Sequence, residues 1–114
     1  MLPNAFLIES PDLRPAPGRS HGWGRLIGAS TALAAAEFAR QCDRLVVVLA
    51  EDPRHADQLE AEIRFFGGDE LPVSHFVEWE TLPWDSFSPH QDIISQRLDV
   101  LGALPSMRTG VVIA

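Results

Sequence analysis

The chain contains no lysine. All nine of its Lys/Arg-type cations are arginine, at positions 14, 19, 25, 40, 44, 54, 64, 97 and 108. That absence removes the phosphate-neutralising lysine of a P-loop, a Schiff-base lysine and a Ser–Lys pair from the chemistry open to these residues. Cysteine is nearly absent as well, and Cys42 alone excludes an intrachain disulfide and a cysteine-cluster metal site. The longest apolar runs are five or six residues, far short of the roughly 20 that span a bilayer. No basic stretch followed by an apolar segment opens the chain, so no secretory leader is expected and a cytoplasmic setting is the default.

Positive charge is scarce overall. Sixteen acids against nine arginines give a net charge of −7 and a pI near 4.9, so these residues should be repelled by nucleic acid and by anionic membranes. At 114 residues with 46% hydrophobic and 22% charged side chains, the chain makes one small domain or a piece of a larger protein. Such a length buries roughly 60–70% of its unfolded surface, enough for one modest core.

Residues 1–23 are rich in proline and glycine around the short apolar patch Ala5-Phe6-Leu7-Ile8. They read as an irregular arm, with at most one edge strand. From Gly24 to Ala114 the pattern is regular. Residues 30–41 are alanine-rich and predict a helix opening on Ser30 or Thr31 as N-cap. Leu45 to Ala50 is a continuous β-branched run, as a parallel strand covered on both faces requires. Asp52-Pro53 supplies an N-cap followed by proline at the first helical position. Leu59, Ile63 and Phe66 then recur at helical spacing until Gly67-Gly68 stops the helix. Leu71 to Val77 predicts a second strand. Ser88-Pro89-His90-Gln91 reads as a capping box that starts a helix running to about Leu104, and Gly110 to Ala114 predicts a third strand. Alternating helices and strands predict an α/β fold, a parallel sheet with helices on both faces. Three strands is fewer than sheets usually have, which suggests the first part of a larger α/β domain. An unfinished sheet also exposes apolar surface that favours self-association.

Several groupings invite a functional reading. Gly28-Ala29-Ser30-Thr31 precedes the first helix, where a nucleotide-binding α/β domain carries its phosphate loop. The GxxxxGK[ST] pattern is not met, so an inert helix N-terminus is the better reading and backbone-amide binding of a nucleotide by a stand-alone domain is the alternative. His90 and Asp92 fit an exposed first helical turn, where the acid favours the helix dipole. Glu51-Asp52 falls at the carboxyl end of a strand, where α/β ligands bind, although capping alone explains Asp52. No catalytic triad, paired-carboxylate or metal spacing stands out. The least ordinary feature is the loop that holds Trp79, Trp84 and Phe87 among Glu80 and Asp85. It reads either as a lid folded over the sheet's end or as a docking surface anchored by aromatics. The acidic neighbours argue against stacking on nucleic acid.

At this loop the sequence ceases to be generic. The run Trp79-Glu80-Thr81-Leu82-Pro83-Trp84-Asp85-Ser86-Phe87-Ser88-Pro89-His90-Gln91-Asp92-Ile93-Ile94-Ser95-Gln96-Arg97-Leu98, continued by Leu104-Pro105-Ser106-Met107-Arg108-Thr109-Gly110-Val111, resembles a stretch near the N-terminus of the bacterial transcription-repair coupling factors. Residues 25–77 fit by the order of their elements. The resemblance implies a large multidomain parent, an ATP-dependent DNA translocase that displaces stalled RNA polymerase and recruits excision repair. These residues would begin its UvrB-like module, a degenerate relative of a P-loop domain that has lost ATP binding. ATP and magnesium would belong to the parent's downstream motor, and DNA, RNA polymerase and most UvrA contacts to downstream domains. The segment itself would be architectural, without catalytic residues or a cofactor, and would pack against other domains of the same chain.

Overall fold

The computed structural model describes residues 14–114 apart from Glu80, Pro83 and Phe87. The expected edge strand at Ala5–Ile8 lies outside the described residues. Three parallel strands form one sheet: β1 (Leu45–Val48), β2 (Val73–His75) and β3 (Gly110–Ile113), in the order β1-β3-β2. The helices are α1 (Ser30–Gln41), α2 (Pro53–Gly67) and α3 (Gln91–Ala103), with 3-10 turns at Gly68–Glu70 and Leu104–Ser106. The α/β fold read from the sequence is the fold observed. The second strand is shorter than Leu71–Val77 because its backbone leaves the ladder after Phe76, whose amide still donates to Ile113 O at 2.7 Å.

Packing follows from residue spacing. On α1, the buried Ala32, Ala36 and Ala39 make a face of minimal bulk, which lets this helix lie close to α2 and β3. On α2, Ala56, Leu59, Ile63 and Gly67 form the facing stripe. The parallel register aligns Val46, Val111 and Val73 in one row and Val48, Ile113 and His75 in the next. Period-two alternation turns these rows toward α1 and α2, and the core forms between them. Arg40 ties the ends of the two helices, donating to Phe66 O at 2.6 Å and Gly67 O at 3.2 Å.

Between β1 and β2 the chain steps across the place later filled by β3, with α2 as the crossover. It then steps back through α3. Right-handed crossovers taken in opposite directions put α2 and α3 on opposite faces of the sheet. The second face is thinly covered: α3 has no buried residue, and Val47 is 59% exposed. There, Ser74 Oγ lies 4.0 Å from Met107 Sδ.

Two helix starts differ from expectation. α1 has Ala29 as its N-cap with no side-chain cap, while Ser30, already helical, donates its hydroxyl to Ile27 O at 2.6 Å. Gly28, at φ +59°, makes the reversal that side-chain capping was expected to secure. α3 starts at Gln91 rather than within a Ser88 capping box. His90 is its N-cap, because the imidazole Nδ1 accepts from Asp92 N at 3.2 Å. Asp52 caps α2 as expected, accepting from His55 N at 2.8 Å. Gly68 ends that helix at φ +63°.

Two substitutions test this packing by urea denaturation. Gly110 has φ +113°, and a Cβ there would sit 2.7 Å from Pro72 O, the carbonyl that accepts from Val111 N. Gly110→Ala should cost at least about 2 kcal/mol; a change under about 0.5 kcal/mol would contradict the placement. Ile63→Ala removes a fully buried side chain and should cost about 2–5 kcal/mol.

Candidate functional site

Ligands of open α/β sheets bind outside the carboxyl ends of the strands, and a cleft of about 600 Å³ lies there. Its floor is closed by backbone bonds just past the ladder: Ala114 N donates to Val48 O at 2.9 Å and Ala50 N to Ala114 O at 2.7 Å. Glu51 and Asp52 follow β1, His75 to Glu78 end β2, Asp57 comes from α2 and Arg97 from α3. Four carboxylates thus line it against one guanidinium, which sets the cleft against anions. Glu51 and Asp52 stand where the sequence placed them. Their turn is closed by Glu51 N donating to His55 Nδ1 at 3.2 Å.

Arg97 organises the far wall. Its guanidinium carbon lies 4.0 Å from the centre of the Phe76 ring and 4.3 Å from that of Trp79. It also donates to Val77 O. Cation–π contact with two rings and a charge-assisted hydrogen bond anchor α3 to the chain leaving β2. Trp79 is therefore engaged on one side while remaining partly exposed. Beyond it, Asp85 Oδ2 accepts from Leu82 N at 2.7 Å and Asp85 N donates to Leu82 O at 3.0 Å, a turn that carries Trp84 78% exposed at its tip. Asp85 thus shapes the loop. Glu80 and Phe87, the other residues singled out there, lie outside the described residues.

Gly28, Ala29, Ser30 and Thr31 lead into and open α1, whose last residues, Ala39 to Gln41, lie at the amino edge of the sheet beside Pro72 and Gly110. None of the four lines the cleft. The described residues leading into Gly28 form no strand, and Trp23 among them packs edge-on to Phe38, 6.1 Å between ring centres. His90 and Asp92 lie in an exposed first turn, as expected.

One grouping was not visible in the sequence. His75 Nδ1 lies 2.8 Å from Glu60 Oε2 and 3.7 Å from Asp57 Oδ1. The sequence separates His75 from the two acids, and the pairing depends on the parallel register that turns His75 to the α2 face. Asp57 and Glu60, three apart on a helix that was expected, were the available signal.

No protein-family model matches the chain. The transcription-repair-coupling factor of Escherichia coli strain K12 is 49% identical over 90 residues, 79% of this chain and 8% of that protein. That of Haemophilus influenzae strain Rd is 36% identical over 101 residues, 89% of this chain and 9% of that protein. The chain therefore spans less than a tenth of the length of these curated relatives. Identity this high across most of the chain carries the resemblance well beyond the tryptophan loop: as a segment, the chain belongs to the transcription-repair-coupling factor family.

Proposed function

We propose that these residues are an architectural, non-catalytic segment of a cytoplasmic transcription-repair-coupling factor. The parent would be an ATP-dependent DNA translocase that removes stalled RNA polymerase and brings in excision repair through UvrA. The 49% identity over 90 residues carries this reading. Within it, the segment builds part of a UvrB-like α/β module, and ATP, magnesium and DNA are handled by downstream domains. Three features support a degenerate phosphate loop: the lysine-free sequence, the start of α1 at Ser30 after a left-handed Gly28, and the acidic lining of the carboxyl-edge cleft. Among the described residues, no helix is long and apolar enough to cross a membrane.

Calorimetric titration of the chain with ATP or ADP in the presence of magnesium should give no saturable heat. Micromolar binding would favour the other reading, a nucleotide-binding domain using backbone amides at Gly28–Thr31. The loop holding Trp79, Glu80, Trp84, Asp85 and Phe87 is proposed as the surface that docks on another domain of the parent. Trp84 makes the sharper probe because its side chain is exposed while its turn is locked. Trp84→Ala should leave the stability of the segment within about 0.5 kcal/mol. In the full-length protein, the amides of Leu82, Trp84, Asp85 and Ser86 should exchange at least tenfold more slowly than in the segment alone; equal rates would place the loop in solvent.

A further inference from the structure

We propose that Asp57, Glu60 and His75 form a binding site for one divalent transition-metal ion of the zinc class, set in the wall of the carboxyl-edge cleft. Asp57 and Glu60 stand three residues apart on α2 and so share a face. His75, the last residue of β2, is aligned with Ile113 and Val48 in the row that faces this helix. The three ligand atoms lie within 4.8 Å of one another. Bonds of about 2.0–2.2 Å to zinc hold two ligands of one ion about 3–3.5 Å apart. The 2.8 Å and 3.7 Å separations of His75 Nδ1 from the two carboxylates bracket that spacing, and rotation of the exposed Asp57 side chain would bring the third pair to it.

The donor chemistry selects the ion. One imidazole nitrogen with two carboxylates suits zinc, cobalt or nickel, whereas magnesium and calcium prefer all-oxygen sets. Glu60 is already oriented: its Oε1 accepts from Arg64 Nε at 3.2 Å and from a terminal nitrogen of the same side chain at 3.0 Å. Arg64 is held in turn by Val73 O at 2.9 Å. This outer layer points Oε2 at His75, as the partners of metal-binding carboxylates do. Arg64 also opposes the ion's charge, which sets the expected affinity at micromolar rather than tighter. Access is open. The side chain of Asp57 is 76% exposed while that of His75 is 15% exposed, and both line the cleft, which leaves room for water to complete the coordination sphere. Ion binding would replace the His75–Glu60 hydrogen bond, with the imidazole ligating as its neutral form through Nδ1 and carrying its N–H on Nε2.

The test titrates the chain with Zn²⁺ by calorimetry and with Co²⁺ by visible absorption. One ion per chain at micromolar affinity is expected, with little or no heat from Mg²⁺. Asp57→Asn alters a surface carboxylate, so the variant should fold as the parent does by circular dichroism. It should weaken binding by about tenfold or more. His75→Ala should abolish binding, and His55→Gln, at a different imidazole, should leave it unchanged. Absence of saturable Zn²⁺ binding, or binding that Asp57→Asn leaves as tight as before, would overturn the site. Mg²⁺ binding as tight as Zn²⁺ would overturn the assigned ion class.

Discussion

Because β3 enters between β1 and β2, its backbone is paired on both sides and its residues from Gly110 to Ile113 are all buried. That central position constrains everything around it. The strand must begin tight against Pro72, where only glycine fits at φ +113°. Its inward side chains, Val111 and Ile113, set the height at which α1 and α2 pack, and the alanine face of α1 is the matching solution. α3 depends on β3 least. Its attachment runs through Arg97 and the aromatic rings of Phe76 and Trp79 rather than through a buried apolar stripe. The molecule therefore has a firm side, the α1–α2 layer, and a lightly fastened one.

Local signals were read well from the sequence wherever the cause is local. Asp52-Pro53 starts α2 and Gly67-Gly68 ends it, because a side-chain acceptor, a fixed φ and a left-handed stop act within a few residues. The β-branched run at Leu45–Val48 and the strand at Gly110–Ile113 are equally direct. Competition between neighbouring caps was harder to judge. Ser88 and His90 both offer an acceptor near the start of α3, and the imidazole prevails. At α1, a glycine turn took the place of a side-chain cap.

Strand order and the convergence of Asp57, Glu60 and His75 were not legible, because both follow from β3 inserting between strands that precede it. The same insertion gathers Glu51, Asp52 and Glu78 around one cleft, although the sequence spreads them over 28 positions. An acidic carboxyl edge is opposite in charge to what a phosphate ligand needs. It fits the proposed reading of these residues as a structural segment, and the curated relatives extend far beyond the part that this chain matches.

Native-state hydrogen exchange tests the division into firm and light sides most directly. The amides of Val111 to Ala114, bonded to both neighbouring strands or to the carbonyls beside them, should be the slowest in the chain and open only with global unfolding. Amides in the middle of α3 should exchange through a local opening of lower free energy, insensitive to Ile63→Ala. Protection in α3 equal to that of β3, falling in step with it when Ile63 is truncated, would contradict the account.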